Sequence, residues 1–295
     1  MHKVERGVSC AGCPHRAAYI ACKEALGRGK NKVICGNAGC AATGYMHPAA
    51  TTCTGGEDAL LPRYKQEVPS GGAVDQPAVE ACIHFALDTE VAADDAPRRF
   101  AGLAAEGAVT ILAVMVSSRA FLGAEAIEGL CQHIVEDLRI DDVVAVDPLD
   151  TLACTDILRD MLARPGVHAV AFCSPCVQLQ GDRAPEPVDI DRIACVGCHR
   201  CKQITGCPAL VFAPPAYTVD ADACAGCDLC TSFCRTHVIY SPRVRIAPAE
   251  RCEMRYQAAT SHSWALPRSS SSNQPRPAGL QQSNGALCIS LLCKI

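Results

Sequence analysis

Two cysteine runs constrain this chain more tightly than anything else in it. Cys195-x2-Cys198-x2-Cys201-x5-Cys207-Pro208 is followed by Cys224-x2-Cys227-x2-Cys230-x3-Cys234. A C-x2-C-x2-C triplet is a tightly curled loop whose three thiolates reach three corners of one body, and the fourth ligand has to arrive from elsewhere. A cubane iron–sulfur cluster asks for ligands in that way. Structural zinc, the main rival, takes two C-x2-C pairs set well apart; the plainest alternative is a set of buried thiols. The chain holds 22 cysteines in 295 residues. In a small secreted protein such a load means disulfides, but this chain is long, and Met1 to Ser9 is polar, without the apolar stretch of an export signal. The expectation is a cytoplasmic protein that uses its thiolates for metal. The oxygen lability of such sites suggests an anaerobic host.

In two-cluster proteins the last cysteine of each run serves the other cluster. Cys195, Cys198, Cys201 and Cys234 are therefore assigned to one [4Fe–4S] cluster, and Cys224, Cys227, Cys230 and Cys207 to the other. Two details depart from the common pattern: five residues precede Cys207 instead of three, and Arg235 stands where proline usually follows the last cysteine. The expected product is a small α+β, ferredoxin-like domain over 189–245 that moves single electrons. His199 lies inside a ligand loop and is expected to be exposed.

The rest of the chain reads as α/β. A helix is expected over His15–Leu26, entered through Pro14, and a short strand over Lys32–Cys35. Residues 62–80 read as loop. Val109–Val116 is a continuous buried strand, Ala124–Leu138 an amphipathic helix with Ile127, Leu130, Cys131, Ile134 and Leu138 on one face, and Val143–Val146 a strand. Leu149–Ala163 is a helix stopped by Pro165-Gly166, and Val167–Phe172 a strand. Such alternation implies a parallel sheet covered by helices. Cys22, Cys82, Cys131 and Cys154 are expected on helical faces as core residues. Residues 180–188 read as a linker, and 250–295, with a Ser269–Ser272 run and several prolines, as a disordered tail in which Cys288 and Cys293 have no role. A net charge of −4 gives no nucleic-acid footprint, and no apolar run reaches the roughly 18 residues of a membrane span.

Further motifs occur in a telling order. Cys10-Ala11-Gly12-Cys13-Pro14-His15-Arg16-Ala17-Ala18 opens the chain, Cys35-Gly36-Asn37-Ala38-Gly39-Cys40 follows, then Asp142-Val143-Val144-Ala145-Val146-Asp147-Pro148 and Phe172-Cys173-Ser174-Pro175-Cys176. Together with the five-residue spacing before Cys207-Pro208-Ala209-Leu210, they resemble the large subunit of indolepyruvate ferredoxin oxidoreductase over residues 7–245. The resemblance implies a thiamine-diphosphate-binding-type domain over 1–180 ahead of the ferredoxin-like module. It also implies a 2-oxoacid oxidoreductase that decarboxylates an aryl pyruvate on thiamine diphosphate and passes electrons to ferredoxin, with coenzyme A taking the acyl group.

Against that family the cofactor ligands are altered. Mg2+, which clamps the diphosphate, needs hard oxygen ligands. Asp88 in Leu87-Asp88-Thr89 stands at one such position, with a surface carboxylate as its alternative. Val116 falls where an asparagine should, with Ser117 and Ser118 beside it, and Gly36-Asn37 replaces a Gly-Asp. His15 lies in the family motif and is assigned either to substrate or diphosphate or to a local hydrogen bond. Arg119 is assigned to an anion or to solvent. The family's pyrimidine-binding domain is expected from a partner chain. A third cluster, on Cys10, Cys13, Cys40 and either Cys173 or, preferably, Cys176, is the alternative to buried thiols or to a redox or zinc pair at Cys173–Cys176.

The expected function is that of an iron–sulfur electron-transfer component of a 2-oxoacid:ferredoxin oxidoreductase, with thiamine diphosphate and Mg2+ completed by a partner subunit and a ferredoxin or other redox protein as electron partner. The alternative is a non-catalytic electron-transfer subunit whose thiamine-type domain is only a docking scaffold.

Overall fold

The computed structural model describes residues 10–27, 32–36, 81–103, 109–180 and 186–261. Helix α1, Pro14–Leu26, starts on a proline at its first turn, where a missing N–H costs nothing. Strand β1 is Lys32–Gly36 and β2 is Ala81–Leu87. Two short helices follow, α2 (Asp88–Val91) and α3 (Ala96–Phe100), then β3 (Val109–Val116). Helix α4 (Ala124–Glu136) leads to β4 (Asp142–Val146), and α5 (Thr151–Leu162) to β5 (Val167–Cys173). The five strands form one sheet, all parallel, in the order β1-β2-β3-β5-β4. The fold is α/β.

Strand β3 shows why the sheet is buried on both faces. Ile111, Ala113 and Met115 point into one core with α1 and α5, where Tyr19 stacks on Phe85 at 3.9 Å between ring centroids. Leu112, Val114 and Val116 point into the other, against Phe100 of α3 and Ile127, Leu130 and Ile134 of α4. A run of apolar residues without alternation is what a two-sided sheet needs. Here α4 buries the expected stripe but ends at Glu136, ahead of Leu138.

Beyond the sheet lies the cysteine-rich module. Strand β6 (Asp189–Ile190) pairs antiparallel with β9 (Ile239–Tyr240), and β7 (Leu210–Ala213) with β8 (Ala216–Val219), while α6 spans Arg200–Thr205. Of the expected linker, residues 186–188 are described, and Val188 is already part of the module's core.

Two expectations need correction. Cys82 lies on strand β2, not on a helix, and is fully buried; the apolar run Ala81–Leu87, broken by His84, carries no strand period of its own. The expected disordered tail begins too early, because Pro248–Ser261 forms helix α7. That segment is polar on average, yet Cys252, Tyr256 and Ala259 are buried, the first two in the α4-side core. Two arginines tie it down: Arg251 donates to Asp228 at 3.0 Å and Arg255 to Asp147. The helix is held by ion pairs with partners far away in sequence, which composition does not disclose.

At the edge of the sheet Asp142 accepts from Arg164 Nη1 at 2.7 Å and pairs with His168 Nδ1 at 2.5 Å. Partial burial raises the Asp142 carboxyl, but these two partners outweigh it and hold it below the usual carboxylate range. A carboxyl depressed on folding contributes stability above its unfolded pKa, about 3.9, and loses it as pH falls through the lower, folded value. Because this pair is part-exposed, Asp142→Asn is expected to cost about 0.5–1 kcal/mol at pH 7. That difference from the unsubstituted chain should shrink and then vanish as pH falls below the unfolded value and through the lower, folded one, as urea denaturation across pH would record.

Candidate metal centres

The module's two cysteine loops are built alike. Each reads C-x-G-C, and Gly197 and Gly226 both have φ of +59°. A side chain at Gly197 would place its Cβ 2.5 Å from the Pro215 carbonyl oxygen, so only glycine lets that loop close. The residue after the second cysteine of each loop is also left-handed, His199 at φ 60° and Asp228 at φ 63°. Both loops thereby curl their cysteines inward.

The thiols collect into two groups around two cavities. One is lined by Cys195, Cys198, Cys201 and Cys234, together with His199, Tyr217 and Arg235. The other is lined by Cys207, Cys224, Cys227 and Cys230, together with Cys13, Arg16 and Asp228. Each cavity takes three cysteines from one run and the last cysteine of the other, and each group's thiols lie within electrostatic reach of one another. All described cysteines are free thiols. Among the described residues no three His, Cys, Asp or Glu side chains converge as ligands of a single metal ion would.

The two groups differ in their surroundings. Cys198 is exposed, whereas Cys224 and Cys230 are buried. Burial pushes the Cys227 thiol up to about 12 and the Cys230 thiol up as well. Burial also raises Cys234, but backbone N–H groups from Val238 and Thr236 more than offset it and leave its thiol below the usual range. His199 is half-buried rather than exposed. It pairs with the Tyr217 hydroxyl at 2.7 Å and packs its edge against Phe212 at 4.6 Å between ring centroids, an aromatic wall beside the first cavity.

A third group of cysteines sits where the sheet meets the module. Cys13 caps the start of α1, burial raises its thiol, and Cys10 and Cys176 lie within electrostatic reach of it. Gln178 Nε2 donates to Cys10 Sγ at 3.0 Å. Cys173 instead turns into the core beneath α7, so Cys176, not Cys173, is the cysteine brought to Cys10 and Cys13. Cys40 and Asn37 lie outside the described residues. The Cys10–Cys13 loop rests directly on the second ligand loop: a Cβ on Gly12, whose φ is +74°, would stand 2.6 Å from the Ala225 Cβ. Arg16, only 2% exposed, lines the second cavity from the same helix. Sequence reasoning gave Arg16 no role; its place one turn inside α1, after Cys13, was the available signal.

The residues expected to hold thiamine diphosphate and Mg2+ meet at the carboxyl end of the sheet. Asp88 is not a surface carboxylate; it is 2% exposed. Its Oδ2 accepts the backbone N–H groups of Ser117 at 3.0 Å and Ser118 at 2.8 Å, and its Oδ1 accepts that of Thr89 at 2.7 Å. Both oxygens are thus spent on fastening the end of β3 to the end of β2. Val116 is buried in the core and offers no oxygen. His15 Nε2 pairs with the Ser117 hydroxyl at 2.7 Å, a long-range contact and not the local hydrogen bond expected of a helix-start histidine. Burial pulls its imidazole down to about 4, against the pull of Asp88, so it is neutral. Its Nδ1 and the Ser118 and Ser174 hydroxyls have no hydrogen-bond partner among the described residues. Among the described residues this donor set does not fit a magnesium diphosphate. Arg119 is exposed to solvent.

Comparison with family models gives no match, and comparison with curated proteins gives none either. No helix among the described residues is long and apolar enough to cross a membrane.

At Gly12 the α/β domain and the module approach so closely that an added Cβ would stand 2.6 Å from the Ala225 Cβ. Gly12→Ala should therefore lower stability by about 1–3 kcal/mol, from overpacking added to the strained φ. A fall in the urea midpoint checks this, and Gly129→Ala, on a helix with open space around it, serves as the control.

Proposed function

We propose that this chain is an iron–sulfur electron-transfer protein with a ferredoxin-like module carrying two [4Fe–4S] clusters. Cys195, Cys198, Cys201 and Cys234 would hold one and Cys207, Cys224, Cys227 and Cys230 the other. The observation that carries the reading is the crossed grouping of thiols about two separate cavities. A set of merely buried thiols has no reason to sort three from one run with the last from the other. Structural zinc takes its ligands as two C-x2-C pairs set well apart, not as a triplet with a remote fourth. Bound there, each cluster supplies a centre that accepts and releases one electron.

The chain's own residues do the remaining work. The left-handed glycines shape the loops, and buried apolar residues such as Leu210, Val238 and Ile239 keep water from the thiolates. The aromatic wall of Phe212, Tyr217 and His199 shields the first site. Exposed Cys198 and Arg235 mark that site as the one facing a redox partner.

The setting we infer is that of the resembled family, a component of a 2-oxoacid:ferredoxin oxidoreductase in the cytoplasm. Cys10, Cys13 and Cys176 favour it. They lie at the carboxyl end of the parallel sheet, where open α/β sheets bind ligands, and they border the second cavity through Cys13. The oxygen ligands of Asp88 are already engaged, which favours the second reading, a scaffold whose clusters alone work. On the first reading a partner chain would have to supply the thiamine site; on the second none is needed.

Iron and acid-labile sulfide per chain, on protein purified without oxygen, test the reading. About eight irons are expected from the module, and about twelve if the third group is also filled, at four per cluster. No stable iron would sink the proposal. The crossed assignment makes a sharper prediction. Cys207→Ser combined with Cys224→Ser should remove no more iron than either alone, about four per chain, whereas Cys207→Ser combined with Cys234→Ser should remove about eight. Retention of thiamine diphosphate with Mg2+, measured by calorimetry, should be negligible for the chain alone.

A further inference from the structure

The two ligand loops match in backbone but not in the residue that follows the second cysteine. In the first loop it is His199, whose ring pairs with a neutral partner, the Tyr217 hydroxyl. In the second it is Asp228, 6% exposed and placed between Cys227 and Cys230 on the wall of the second cavity. A lone carboxylate there would add negative charge beside thiolates that already carry it. Instead two guanidinium groups close on it. Arg243 donates through Nη2 to Oδ1 at 2.7 Å and through Nε to Oδ2 at 3.1 Å, and Arg251 donates through Nη1 to Oδ2 at 3.0 Å. Arg243 also anchors to the Glu186 carbonyl oxygen through Nη1 at 2.5 Å. Fork-to-carboxylate pairing of this kind fixes geometry as well as charge. Two cations and one anion leave the triad with one net positive charge, partly removed from solvent, with Arg243 in electrostatic reach of Cys224 and Cys227. The comparable charge at the first site, Arg235, is exposed and screened.

Resting on the cluster reading above, we propose that the Arg243–Asp228–Arg251 triad sets the reduction potential of the cluster held by Cys207, Cys224, Cys227 and Cys230, raising it relative to a neutral surround. Reduction adds one electron to the cluster and its four thiolates; no bond forms or breaks, and no proton moves. The reduced form carries one more negative charge, and a fixed positive charge beside it favours that form. Fixed charge, hydrogen bonding and solvent exposure are the levers by which a protein tunes such a centre. Because Arg251 belongs to α7, this helix is part of the redox environment and not only of the fold.

The test is a reductive titration of the full chain, loaded anaerobically with iron and sulfide, using dithionite as electron donor and electron paramagnetic resonance as the readout. Arg243→Gln and Arg251→Gln should each lower the reduced-to-oxidised ratio of one cluster about tenfold at a fixed solution potential, equivalent to about 59 mV for a one-electron couple. The other cluster should not move. Asp228→Asn should shift the same cluster the opposite way, and Arg243→Lys should retain most of the original value. Shifts in the same direction for the arginine and aspartate variants would mean damage to the loop rather than charge, and would overturn the proposal, as would unchanged potentials throughout. If the glutamine variants lose iron, Asp228→Asn decides alone: a rise supports the triad and no change sinks it. Failure of the cluster reading itself is separate, since the unsubstituted chain would then take up no iron.

Discussion

The contact between Gly12 and Ala225 is the constraint on which the rest of the arrangement depends. It allows the Cys10–Cys13 loop to lie against the Cys224–Cys227 loop with no side chain between them. From that contact follow the position of Arg16 in the wall of the second cavity and the nearness of Cys13 to the second group of thiols. The parallel sheet supplies the other half of the geometry. It delivers Cys176, from just beyond β5, to the same place as the start of α1, so that a residue about 160 positions away joins Cys10 and Cys13.

Much of this was legible in the residues themselves. The helix at Pro14, the buried run Val109–Val116 and the turn at Pro165-Gly166 stand almost where pattern places them, because each carries its own local signal: a first-turn proline, a charge-free run rich in β-branched residues, a helix stop. The cysteine runs announce their loops through spacing and through the glycine between the first two cysteines. Strand β2 was illegible for the opposite reason. It is short, buried on both faces and interrupted by His84, and its strand character comes from its neighbours β1 and β3.

The site was read less well where its residues act through distant partners. Asp88 reads as a surface acid, or as a metal ligand, from its immediate context; only the backbone of Ser117 and Ser118, brought alongside by the sheet, turns it into a fastener. Helix α7 reads as tail because its composition is polar. Its two anchoring arginines find their carboxylates in β4's terminal loop and in a ligand loop, and ion pairs of that separation leave no periodicity behind. Asp228 escaped notice for the same reason. A ligand loop draws the eye to its cysteines, and the residue between them acquires meaning only with Arg243 and Arg251 beside it.

Helix α7 has one more consequence. It is pinned at Arg251 to the module and at Arg255 to the sheet domain, while Cys252 and Tyr256 are sunk in the core between these anchors. The α/β domain and the module are therefore tied together through α7 as well as through the loop at Gly12. Electron tunnelling decays exponentially with the gap it crosses, so a chain that let its halves rock would pass electrons at a rate that flickered with the motion. On the proposed reading, the loop at Gly12 and helix α7 together would make the gap between the thiol groups a property of the fold, set once on folding.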